Sequence, residues 1–84
     1  MRITHADLEH VAAAVERWRV AQGNVDAICT EREPEDVSAR KEWVDSWFKR
    51  YDVAKARAER DAHTVACYAE IACEAVGLVP KRRV

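Results

Sequence analysis

The chain has 84 residues, of which 49% are hydrophobic and 35% charged, with two Gly and two Pro; this suits one small globular or coiled-coil domain and excludes a disordered or loop-rich one. A formal net charge of −1 sets up no global field that would draw in nucleic acid, and none strong enough to mimic it. No window has the apolar length of a signal peptide core or a membrane span, and three cysteines, an odd number, point to reduced thiols in a cytoplasm.

Fifteen Ala and ten Arg against four Lys favour helix throughout and fit a small bacterial or phage protein. The first helix has a defined start. Thr4 is placed to cap it, Asp7 stands three residues on as the reciprocal member of a capping box, and Ile3 and Leu8 are spaced as a hydrophobic staple. Leu8, Val11, Val15 and Trp18 then recur at steps of three, four and three, a narrow apolar seam. Gln22 interrupts the seam and Gly23-Asn24 is a C-terminal stop, so the helix is predicted over about residues 5–22. Val25 and Cys29 resume the spacing, which makes a continuation or a short restart the alternative.

A connector over about 23–33 ends in the acidic run Glu31, Glu33, Glu35 and Asp36, with Pro34 suited to the first turn of a second helix. From there to about residue 76 the chain lacks Gly and Pro until Gly77. Val37, Val44, Tyr51, Ala58, Val65 and Ala72 fall every seven residues, the signature of one long helix with coiled-coil character. A break near Tyr51-Asp52 would instead give a three-helix bundle. Gly77 caps the end, Pro80 forbids continuation, and residues 77–84 form a basic tail.

The predicted fold is therefore all-α, an antiparallel helical hairpin with a long second helix. A first helix of about 27 Å covers less than half of a second helix of about 63 Å. Between Ala62 and Val76 apolar or small residues occupy most faces of that second helix, so burial on more than one side is expected. A homodimer supplies it, with Ala62, Val65, Ala66, Ala69, Ala72, Cys73 and Val76 as the self-association residues.

Reactive chemistry has little foothold. His63 and Cys67 are four apart, a spacing two metal ligands often use, but the heptad register turns both off the seam and Cys73 points away from them. Structural zinc needs four ligands and catalytic zinc at least three. Neither a nucleophile with its base nor a Gly-rich phosphate loop is present. The expectation is a non-catalytic module with no metal and no cofactor, an adaptor or inhibitor that occludes a larger, unidentified protein. Trp43, Trp47 and Tyr51, with Arg50, Arg57 and Arg60, are the candidate partner-binding residues; packing of the aromatic group against Trp18 is the competing explanation. A nucleic-acid accessory role, using the Arg/Lys-rich middle of the long helix and the basic tail, ranks below it because Glu42, Asp45, Asp52, Glu59 and Asp61 are interspersed there.

Overall fold

In the computed structural model residues 3–81 are described; Met1, Arg2 and most of the basic tail, residues 82–84, lie outside them. Two helices, α1 (His5–Cys29) and α2 (Val37–Ala75), pack antiparallel as a rod of 60 × 28 × 14 Å. The helical hairpin with a long, unbroken second helix is thus what the seven-residue repeat requires. No break occurs at Tyr51-Asp52.

The start of α1 follows its sequence signals. The Thr4 Oγ1 accepts from the Asp7 backbone N–H at 3.2 Å, and the Asp7 carboxylate accepts from the Thr4 N–H at 2.9 Å, so both arms of the capping box form. At the same open end of the hairpin, where α2 stops, the Gly77 backbone has φ of 77°. Its N–H donates to the Glu74 carbonyl, and that of Leu78 to the Cys73 carbonyl, the paired bonds that close a helix around a left-handed glycine.

Two expected boundaries change. α1 does not stop at Gly23 but runs six residues further, and the connector is residues 30–36 instead of 23–33. The reason lies in the seam. Val11, Ala14, Trp18, Ala21, Val25 and Ile28 are its half-buried or buried positions, at unbroken steps of three and four. Counting only large residues hides this, since Ala14 and Ala21 are the two most buried side chains in α1. Gly23 faces solvent with an ordinary helical φ, and burial of Val25 and Ile28 against α2 outweighs its poor helix propensity. Pro34 is likewise not in the first turn of α2. Asp36 is the N-cap, its carboxylate accepting from the Ala39 N–H at 2.9 Å, and a cap two residues past Pro34 fixes the helix start.

On α2 Val44, Trp47, Tyr51, Ala54, Ala58, Asp61, Val65, Tyr68, Ala72 and Ala75, all half-buried or buried, repeat the same three-four step. The register pairs Val11 with the Tyr68–Ala72 region and Trp18 and Val25 with Tyr51–Ala62. A 25-residue α1 spans about 37 Å, well over half of α2 and not less than half. Beyond the end of α1 the connector reaches Arg40, Trp43 and Arg50, while residues 37–42 stay exposed. Among the described residues only Ala14, Ala21 and Ala58 are buried, and no large side chain is fully buried.

Gly23 and Gly77 make opposite predictions for one substitution. A Cβ at Gly23 meets nothing within 4 Å, so Gly23→Ala is expected to stabilise by about 0.5–1 kcal/mol and raise Tm by roughly 3–6 °C. Gly77→Ala, in the left-handed region, is expected to cost about 1 kcal/mol. Thermal melts followed by circular dichroism decide this, and a lower Tm for Gly23→Ala would mean that α1 ends at Gly23.

Candidate functional site

Three regions of the hairpin bear chemistry beyond the seam. The first is the corner where the connector meets α2. Trp47 donates its indole N–H to the Ile28 carbonyl at 2.9 Å, satisfying one of the acceptors left over at the C-terminus of α1. Trp43 donates to the Glu31 carboxylate at 3.1 Å. Arg50 grips both oxygens of that carboxylate, with Nη2 to Oε1 at 2.9 Å. Trp47 stacks on Tyr51 with ring centroids 5.0 Å apart and meets Phe48 edge-on at 5.3 Å. Next to this cluster, Arg40 pairs with Glu33 at 3.1 Å and donates to the Pro34 carbonyl at 3.2 Å.

The predicted partner-binding set is thereby divided. Trp43, Trp47, Tyr51 and Arg50 have their polar atoms or ring faces engaged in holding the corner. Phe48 alone of the aromatic group stays mostly open, 57% exposed. Trp18 reaches Tyr51 only across a shallow hollow, so the aromatic rings pack chiefly on one another and on the end of α1. Arg57 and Arg60 remain exposed on α2. The bond from Arg50, with help from Trp43, holds the Glu31 carboxyl below the ordinary glutamate range, and the same contact pushes the Arg50 guanidinium further up.

The second region is one flank of the hairpin. In the register set by the seam, Leu8, Ala12 and Val15 of α1 stand on the same side as Ala62, Ala66, Ala69, Cys73 and Val76 of α2. The α2 members step by four, three, four and three, a second seam beside the first. Ala62, Ala66, Ala69 and Val76 are exposed and Cys73 is half-buried. The turn after Gly77 brings Val79 and Pro80 alongside Ala69 and Cys73. The other two residues of the predicted self-association set, Val65 and Ala72, belong to the seam with α1. Lys55 and Glu59, an ion pair at 3.9 Å, stand on this side nearer the corner.

The third region is the opposite flank, where a groove runs between the helices. Two adjoining hollows of about 440 and 680 Å³ share Ala21, Asn24 and Arg57. Arg17, Lys49 and Arg60 line them as well, positions that composition alone does not single out because acids are interleaved in the sequence. Their grouping comes from pairing two helices and from the register, which leaves Glu16 and Asp61 as the acids among the lining residues.

His63 and Cys67 do face each other, with Sγ and Nε2 3.4 Å apart on the exposed back of α2. Among the described residues no group of three or more His, Cys, Asp or Glu side chains is placed to hold a metal ion. No helix among them is long and apolar enough to cross a membrane. Compared with known families, curated proteins and solved structures, the chain matches none.

The corner has two testable consequences. Trp47→Phe keeps the ring and removes the donor to Ile28, with an expected loss of about 1 kcal/mol in denaturant unfolding. Glu31 has a folded pKa below its unfolded one, so its contribution to stability is present above the ordinary glutamate range and is lost as pH falls through the folded value. Stability measured from pH 7 downward is expected to fall less steeply in Glu31→Gln than in the unmodified chain; equal slopes would mean that the Glu31–Arg50 contact does not persist in solution.

Proposed function

We propose that this chain is a small, non-catalytic protein-interaction module that pairs with a second copy of itself and, as a dimer, presents a surface to a larger protein as an adaptor or an inhibitor. The observation that carries this reading is the surface left outside. The chain exposes 6976 Å², whereas a compact monomer of its 9.6 kDa exposes about 5,100 Å². The excess, about 1,900 Å², lies within what one partner contributes to an obligate homodimer, roughly 1,000–2,500 Å².

The apolar flank is where that area is best removed from water. Its Ala62, Ala66 and Ala69 permit close helix approach, while Leu8, Val15, Val76 and Val79 supply larger apolar surface at the open end of the hairpin. A two-fold axis through this flank places four helices around a common core, each with two apolar seams in use. The alternative of reactive chemistry finds less support, since the charged groups held in fixed geometry serve a helix cap and the corner.

Light scattering at micromolar concentration is expected to give twice the chain mass. Ala66→Glu, an exposed position, is expected to return a helical monomer, because a carboxylate in the middle of the paired flank is buried without a partner. A monomeric mass for the unmodified chain, or an unchanged dimer with Ala66→Glu, would contradict the proposal.

A further inference from the structure

The groove on the opposite flank combines charge and apolar surface in a way that specifies an occupant. Its basic rim is drawn from both helices, Arg17 from α1 and Lys49, Arg57 and Arg60 from α2. Arg50 closes one end but is already neutralised by Glu31. Of the other four, none makes an ion pair with a described residue. Two carboxylates, Glu16 and Asp61, stand in the hollow toward the open end. Four basic side chains thus stand against two carboxylates, a local excess of positive charge on one side of a chain with a net charge of −1. Such an excess favours an anionic partner.

The floor is apolar. Val20 and Val53 are 60% and 67% exposed and look into hollows otherwise floored by Ala21 and Ala54. Lys49, Arg57 and Arg60 lie along about 16 Å of helix axis, some three turns. The furrow follows the two helix axes, so an extra helix can lie along it as a third strand.

We propose that this groove binds an acidic amphipathic helix of another protein, its apolar edge seated on Val20, Val53 and Ala21 and its carboxylates against Arg17, Lys49, Arg57 and Arg60. The inference rests on reading the chain as an interaction module and names the chemistry of its partner. It uses the flank that self-pairing leaves free. A nucleic-acid backbone fits less well. It would leave both valines in water and meet Glu16 and Asp61, and the rings that could stack on bases are held in the corner.

The test uses the full chain and a fluorescent amphipathic peptide of about 21 residues with Leu on its inner face and Glu flanking it. A Lys-for-Glu version of the peptide and a single-stranded DNA of similar length are the comparisons. The Leu/Glu peptide is expected to bind at least about tenfold more tightly than the Leu/Lys peptide, and the preference to shrink as salt is raised. Arg57→Ala combined with Arg60→Ala is expected to weaken binding about tenfold without loss of helix content, whereas Arg19→Ala, on an exposed part of α1, is expected to leave it unchanged. The Ala66→Glu variant is expected to bind the peptide undiminished, which separates failure of the groove from failure of self-pairing. No preference between the peptides, tighter binding of the DNA, or binding insensitive to Arg57 and Arg60 would overturn the proposal.

Discussion

Two helices can share only one seam, and every other feature of this molecule is arranged around that constraint. The most buried positions of the seam are Ala14, Ala21 and Ala58, small side chains. Each contributes little apolar area of its own. The large residues, Trp18, Trp47, Tyr51 and Tyr68, are only half-buried. The result is a hairpin whose geometry is well specified by periodicity but whose core is thin.

A thin core places weight on the ends. At the corner, Glu31 ties the connector to α2 through Trp43 and Arg50 while Trp47 closes the last turn of α1. These bonds fix how α2 leaves the connector and so set which residues of the two helices face one another. Once that register is set, the two flanks differ in kind. One carries a second run of small apolar residues, and the other carries an excess of basic side chains over exposed valines. The apolar run is visible on α2 alone, whereas the groove arises because a column on α1 is brought beside a particular column on α2.

Much of the fold was legible in the sequence. The capping box at Thr4, the heptads from Val37 to Ala72, the continuity of α2 and the stop at Gly77 all rest on local rules that tertiary packing does not override. The end of α1 was half legible: the spacing of Val25 and Cys29 offered the continuation, but the seam runs through Ala14 and Ala21, and alanine carries almost no hydropathy contrast. Gly23 then looked decisive, although at an exposed helical position it costs only about 1 kcal/mol. The aromatic group shows a different limit. Spacing placed Trp43, Trp47 and Tyr51 together correctly, but whether their N–H groups and faces are free depends on a connector whose path no periodicity encodes. The groove was illegible for the same reason. Arg17 and Arg57 are forty residues apart in the chain, and only the register brings them to one rim.

One seam buries little of this chain, and the proposed self-pairing would couple folding to association. The most direct test of that coupling is the concentration dependence of thermal unfolding. If a second copy binds the folded chain and not the unfolded one, Tm is expected to rise by several degrees between about 2 and about 200 μM chain. An identical Tm across that range, with full helix content at the lowest concentration, would mean that the hairpin stands alone and would contradict the account.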